Sequence, residues 1–310
     1  MKQKIAIVAG GFSSEHDVSL RSAKGIYDAL DKELFDATII ELPKEHNKAL
    51  LAAKLHDLQH YDYCYITIHG TPGENGLLQG FLQILGIPFN CCSVLPAALT
   101  FNKYACNHYL SAFGINIAHS ILLRADEPQP APEEIAQQLG LPCFIKSNVG
   151  GSSFGCTKVK TLEDIQPAID KAFAEGDEVI CEQLMVGTEV TNGCYATQEG
   201  LVALPVTEVV TANEFFDYNA KYNGEVQEIT PARIPDAMRD RIQALTKQIY
   251  RILGAAGIIR IDYILENNEI RLLEVNTTPG MTPTSFIPQQ IRAAGLNLTE
   301  VLTQLIQTAK

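Results

Sequence analysis

Residues 260–280, RIDYILENNEIRLLEVNTTPG, constrain the fold of this chain more than any other stretch. Two runs rich in apolar and β-branched residues, IDYIL and IRLLEV, flank the polar turn Glu266-Asn267-Asn268-Glu269, so they read as the two strands of a hairpin. Three oxygen-bearing side chains interrupt the apolar pattern: Asp262, Glu274 and Asn276. Glu274 and Asn276 stand two residues apart and leave a strand from the same face, and Asp262 meets them if the strands pair. Two carboxylates and an amide oxygen, with no His or Cys nearby, are hard donors of the kind Mg²⁺ takes, and Mg²⁺ held this way usually accompanies bound phosphates. The same groups could equally satisfy one another or face water at a sheet edge, and their spacing does not choose.

The chain has 310 residues, enough for two or three domains with a real core. A formal net charge of −12 argues against non-specific nucleic-acid binding, which needs Lys and Arg to neutralise phosphates. It leaves room for a local basic pocket that holds a nucleotide. The eight Cys include no C-x-x-C pair and mostly sit in apolar segments, as small buried hydrophobes or free thiols do. The first apolar run is too short for a signal peptide, and no run reaches the roughly 18 residues of a membrane span. The expectation is a soluble protein of the reducing cytoplasm, with neither membrane nor nucleic acid as partner.

Along residues 1–91, strands at 4–9, 37–42 and 63–68 alternate with helices at 19–30, 49–58 and 77–85, the pattern of a parallel α/β sheet. The polar Gly-rich loops 10–17 and 69–76 fall at carboxyl ends of strands, where such sheets bind ligands. Neither G-x-G-x-x-G nor G-x-x-x-x-G-K-[ST] occurs, so a nucleotide would need another scaffold. A second unit, 92–185, reads as a helix at 101–113, a strand at 117–123, a helix at 133–139 and strands at 143–146, 156–159 and 179–183. Its SNVGGSSFG turn could wrap phosphate oxygens with backbone N–H groups and the Ser152 and Ser153 hydroxyls, with Lys146 adding charge; it could also be an ordinary flexible hairpin. The third unit, 186–310, reads as strands at 189–195 and 201–210, a polar loop at 211–230 of the length that often forms a lid, a helix at 236–253, the hairpin and a closing helix at 298–308.

Together these pieces resemble the ATP-grasp ligases: an α/β front domain, a hairpin with a Gly/Ser turn, then Glu182-Gln183-Leu184-Met185, R-I-D and L-E-V-N-T-x-P-G. They are most similar to the D-alanine–D-alanine ligase family, through GGFSSEHDVSL (10–20), HGTPGENGLLQG (69–80), K-x-x-x-x-GSSFG (146–155), FFDYNAKY (215–222), GIIRID (257–262) and LLEVNTTPGMTPTSFIP (272–288). The resemblance spans essentially the whole chain. It implies an α/β (α+β) molecule with an ATP-grasp fold behind an N-terminal parallel-sheet, Rossmann-like domain.

It also implies a set of roles. ATP would lie between the second and third units, its adenine read by Glu182 and the backbone near Leu184, and its ribose by Glu189. Lys103, Lys146 and Ser153 would hold the α- and β-phosphates, with Lys221 near the γ-phosphate. Asp262, Glu274 and Asn276 would hold two Mg²⁺, with Mn²⁺ a substitute and a monovalent cation left open. Glu15, oriented by Ser152 and Tyr222, would bind the ammonium of the first D-alanine beside His69. Ser285 and Phe286, with Lys221, would form the second D-alanine site. Arg260 and the Gly280 N–H would stabilise the oxyanion of a tetrahedral intermediate. Tyr222 goes with an amine acceptor in this family, where Phe goes with D-lactate, so a dipeptide product is expected. A homodimer through the first domain is implied as well.

The chain departs from the family pattern at Asn90-Cys91-Cys92-Ser93, where a Gly/Ser-rich stretch is usual. It departs again at Phe101-Asn102-Lys103, which keeps the lysine of M-D-K, and at Ser147, where Pro is frequent. The alternatives are a ligase for D-lactate or another amino acid, and a nucleotide-binding homologue without catalysis. The second would be expected to lose Arg260 or a metal ligand, and both are kept.

Overall fold

β1 (Gln3–Gly10) is apolar on both faces because it is the central strand of a parallel sheet of order β2-β1-β3, between β2 (Phe35–Leu42) and β3 (Tyr63–Ile66). Its alternation divides two cores. Ile5 and Ile7 pack with Ala23 and Ile26 of α1 (His16–Ala29), whereas Ala6 and Val8 pack with Leu58, which ends α2 (Lys48–Asp57), and with Leu82 of α3 (Leu77–Leu85). The computed structural model describes residues 1–150, 155–211 and 226–309. Ser152, Ser153, Lys221 and Tyr222 therefore lie outside the described residues.

A second, antiparallel sheet has the order β4-β7-β5-β6, built from β4 (Ser120–Arg124), β5 (Cys143–Ser147), β6 (Thr157–Val159) and β7 (Glu178–Gln183). Ile135 of α6 (Pro132–Leu139) and Ile165 and Ile169 of α7 (Ile165–Phe173) bury its core. The third sheet runs β11-β10-β8-β12-β13, with β9 also on β8. Its strands are β8 (Thr188–Thr197), β9 (Gly200–Ala203), β10 (Thr207–Thr211), β11 (Val226–Ile229), β12 (Ile258–Glu266) and β13 (Glu269–Asn276). Ile242 and Ile249 of α8 (Asp236–Leu253) share a core with Ile259, Ile261 and Tyr263 of β12. Ile287 and Ile291 of α9 (Phe286–Ala293) and Leu302 of α10 (Leu298–Thr308) instead join the core of the first sheet. These two helices thus fasten the first sheet to the third.

The hairpin at 260–280 forms as expected, closed by Asn267 and Asn268 with φ of 50° and 67°, the left-handed pair that suits a two-residue hairpin turn. Three expectations change. The helix expected at 101–113 is α5 (Lys103–Ser111), preceded by an unexpected helix, α4 (Val94–Phe101); the two are divided at Asn102, whose side chain accepts from Ala105 N–H as an N-cap. The strand expected at 201–210 is split into β9 and β10, because β8 pairs with β10 over Glu189 to Thr191 and with β9 from Cys194 onward. The loop expected at 211–230 ends in β11, which returns antiparallel to β10; residues 212–225 between them lie outside the described residues. Gly257, at φ 67°, lets the chain pass against Asn90, whose carbonyl oxygen would stand 1.6 Å from a Cβ there. The atypical Asn90–Ser93 stretch is thereby the seat of β12, and the Ala256 N–H reaches the Cys92 sulfur at 3.4 Å.

All eight cysteines are free. Burial lifts the Cys64, Cys106, Cys181 and Cys194 thiols to about 12, so these are inert packing groups. Among the described residues no helix is long and apolar enough to cross a membrane.

Candidate active site

One cavity of about 1400 Å³ opens where the three sheets meet, and all fourteen candidate residues within the described chain line it. Glu15 and His69 come from the loops after β1 and β3; Lys103 from the start of α5; Lys146, Glu182 and Leu184 from β5 and the end of β7. Glu189 comes from β8, and Arg260, Asp262, Glu274, Asn276, Gly280, Ser285 and Phe286 from the hairpin and the turn into α9.

The hairpin register sets the centre of the site. Asp262 stands opposite Glu274 and Arg260 opposite Asn276, so all four side chains share one face. Asp262 is nearly saturated. Its Oδ1 accepts from Arg260 Nε at 2.9 Å and from the Thr191 hydroxyl, and its Oδ2 accepts from Arg260 Nη2 at 2.7 Å and Asn276 Nδ2 at 3.2 Å. Burial by itself would weaken the Arg260 cation, but Asp262, Glu274 and Glu189 outweigh it and hold the guanidinium charged. Its other face lies over the Phe286 ring, 5.3 Å from the centroid.

Among the described residues no group of three or more His, Cys, Asp or Glu side chains is arranged to hold a metal ion. Asp262, Glu274 and the amide of Asn276 are nevertheless hard oxygen donors within reach of one another, with Asn276 Nδ2 3.2 Å from Asp262 and 3.5 Å from Glu274. They fit a hard cation such as Mg²⁺, provided Asn276 turns its amide to present oxygen.

On the opposite wall Lys146 and Glu182 form a buried ion pair across β5 and β7. Burial lowers the lysine's affinity for its proton, and the attraction of Glu182 more than restores it. Lys103 is placed by a polar network that includes residues not anticipated. Its Nζ donates to Gly150 O at 2.5 Å and its N–H to Asn148 O at 3.1 Å. Asn148, fully buried, donates in turn to Asn102 and Glu178. The first-loop side is knitted by Ser13, whose hydroxyl accepts from Glu15 N–H at 3.2 Å and donates to the His69 carbonyl at 2.7 Å.

Glu74 is a further residue of the cavity wall, beyond those to which the family resemblance gives a role. It accepts from Gly70 N–H at 2.7 Å, and burial, with Glu15 nearby, raises its carboxyl to about 7 against that hydrogen bond. Its place in the loop 69–76 was a usable signal. Thr191 carried none, because it meets Asp262 only through the register of β8 on β12.

The D-Ala D-Ala ligase C-terminus model matches residues 109–307, and the corresponding N-terminus model matches residues 4–52. The chain belongs to the D-alanine–D-alanine ligase family. A D-alanine–D-alanine ligase from Phocaeicola vulgatus is 55% identical, with 99% of each chain covered. One from Porphyromonas gingivalis is 51% identical, covering 99% of this chain and 97% of its own. Among solved structures, the VanG D-Ala:D-Ser ligase from Enterococcus faecalis superposes with a TM-score of 0.85 at 30% identity, covering 99% of both chains. The D-alanine–D-alanine ligase from Bacillus anthracis complexed with ATP gives 0.83 at 27% identity, covering 99% of this chain and 97% of the other. The similarity covers 99% of the chain, so it spans the departures at 90–93 and 101–103.

Proposed function

We propose that this chain joins two molecules of D-alanine into D-alanyl-D-alanine, using ATP and releasing ADP and phosphate, as a step in making a peptidoglycan precursor. It is an ATP-dependent ligase. The observation that carries the reading is that fourteen residues selected for that chemistry, from all three sheets, line one cavity. The division into units 1–91, 92–185 and 186–310 follows the three sheets, each of which lies inside one unit.

Amide formation from a carboxylate and an amine is uphill in water, so the carboxylate is first activated. The first D-alanine, its ammonium on Glu15 beside His69, attacks the γ-phosphate through its carboxylate to give D-alanyl phosphate and ADP. The second D-alanine, its carboxylate at Ser285 and the N-terminus of α9, attacks that acyl phosphate through its amine, and phosphate leaves. Arg260 and the Gly280 N–H face the oxyanion that develops. Lys103 and Lys146 neutralise the α- and β-phosphates, while Glu182, Leu184 and Glu189 hold the nucleoside. Asp262, Glu274 and Asn276 would hold two Mg²⁺, or Mn²⁺ in their place, and the ions would supply charge neutralisation to the phosphates. Ser152, Ser153, Lys221 and Tyr222 complete the site in the proposal, the tyrosine selecting an amine over D-lactate.

We also assign a cytoplasmic setting, which suits ATP use and eight free thiols. The proposed homodimer uses the first unit, where Leu77, Ile84 and Leu85 of α3 expose apolar side chains, with Ile84 at 85%. Product analysis with ATP and D-alanine, and with L-alanine, D-serine or D-lactate as the competing partner, tests the function. D-alanyl-D-alanine is expected as the main product at pH 7 to 8. ATP turnover indifferent to D-alanine, or mainly depsipeptide, would overturn it.

A further inference from the structure

β8 changes partners in mid-strand. It pairs with β10 up to Thr191 and with β9 from Cys194, so between them a backbone carbonyl and a backbone N–H face a gap in the sheet. Pairing of Leu204 N–H with Gly193 O at 2.8 Å fills part of that gap. The rest is filled by one side chain from another element. Gln290, on α9 and with no solvent exposure, accepts from Gly193 N–H through Oε1 at 2.9 Å and donates through Nε2 to Thr191 O and Thr207 Oγ1, each at 3.0 Å. Its carboxamide stands in for a missing strand peptide, with acceptor and donors used on the same strand edge. The fit is close enough that a Cβ on Gly193 would lie 2.7 Å from Gln290 Oε1.

We propose that Gln290 is a positioning residue for the second amino-acid site. It fixes the depth and rotation of α9 against the third sheet, and α9 begins with the two residues, Ser285 and Phe286, that face the reaction. Phe286 backs Arg260, and Thr191, gripped through its carbonyl by Gln290, donates its hydroxyl to Asp262. The preceding residue, Gln289, bonds Glu228 on β11 and the Thr284 carbonyl, so both glutamines tie the helix to the strands on either side of residues 212–225. The Thr207 hydroxyl continues the chain to Thr230 at 2.6 Å. A polar side chain this buried, with every hydrogen bond spent on backbone and strand hydroxyls, holds one geometry where an apolar residue would allow several.

The inference rests on Ser285 serving the second D-alanine, so the test measures both in the full-length enzyme. KM for ATP and the two D-alanine KM values would be determined for Gln290→Met, Gln290→Glu and Ser285→Ala, with folding checked by circular dichroism. Gln290→Met keeps length and removes all three bonds; Gln290→Glu keeps length and the acceptor, and serves if the first does not fold. The expected result is a rise of about tenfold in the second D-alanine KM for the folded Gln290 variants, with ATP KM changed less than twofold. A lowered melting temperature with all KM values unchanged, or equal rises in every KM, would overturn the proposal by reducing Gln290 to a core residue. Ser285→Ala separates the two ideas: silent Gln290 variants beside a responsive Ser285→Ala defeat only the positioning role. A silent Ser285→Ala defeats the subsite and the role together.

Discussion

Arg260 and Asp262 point from the same face of β12 and form a two-pronged ion pair, with Nε to Oδ1 at 2.9 Å and Nη2 to Oδ2 at 2.7 Å. The pair joins the two halves of the proposed chemistry, since Asp262 belongs to the phosphate side and Arg260 to the carbonyl side. Both side chains are largely shielded, at 12% and 9% exposed, so the two charges lie against each other with little water between them.

Arg260→Ala should lower kcat by about 10²–10³-fold, the loss typical of one oxyanion donor, as read by phosphate release. It should also cost stability, about 3 kcal/mol, because Asp262 is left buried without its counter-ion. Urea unfolding of Arg260→Ala, Asp262→Ala and the double variant should show a double loss well short of the sum. Additive losses would mean the pair is not coupled.

Glu274→Ala should abolish turnover and leave the fold intact. Glu274 is a partly exposed cavity residue on β13, not part of a hydrophobic cluster. Phosphate release and the cooperativity of thermal unfolding decide the matter; a broadened, non-cooperative transition would count against the assignment.

Glu74 should make the stability of the protein depend on pH. Its carboxyl is raised from 4.5 to about 7, so the folded chain holds this proton more tightly than the unfolded chain does. Stability from this group is complete below about pH 4.5, falls as pH rises through 7, and is fully lost above it. Partial solvent access limits the effect to about 1–2 kcal/mol. Glu74→Gln should therefore stabilise the protein at pH 8 but not at pH 4.5, measured by denaturant midpoints at the two values. An equal shift at both would remove the ionisation from the explanation.

Ile84→Asp should shift the proposed dimer to monomer in light scattering at micromolar concentration, with circular dichroism unchanged. Ile84 projects from α3 at 85% exposure, so a charge there disturbs no core. A wild-type protein that is already monomeric would end that assignment.

Much of the scaffold was legible because it is local. The spacing of apolar residues predicted α3, α8 and α10 to the residue, and the hairpin of β12 and β13 announced itself through alternating runs around Asn267-Asn268. The breaks were harder. Asn102 divides α4 from α5 because Asn148 and Glu178, distant in sequence, hold its side chain. The split of β9 from β10 depends on which stretch of β8 each strand meets.

The chain by itself named the candidate chemistry-bearing residues, because the motifs that carry the family resemblance are short runs of neighbouring positions. Only the tertiary structure decided how they are held. Thr191 on Asp262, Ser13 between the two Gly-rich loops, Asn148 under Lys103 and Gln290 in the gap of β8 all act across registers and helix placements that no local pattern encodes. The physical reason is that a buried polar group takes whichever partner packing brings within about 3 Å, and packing is settled by the whole core at once.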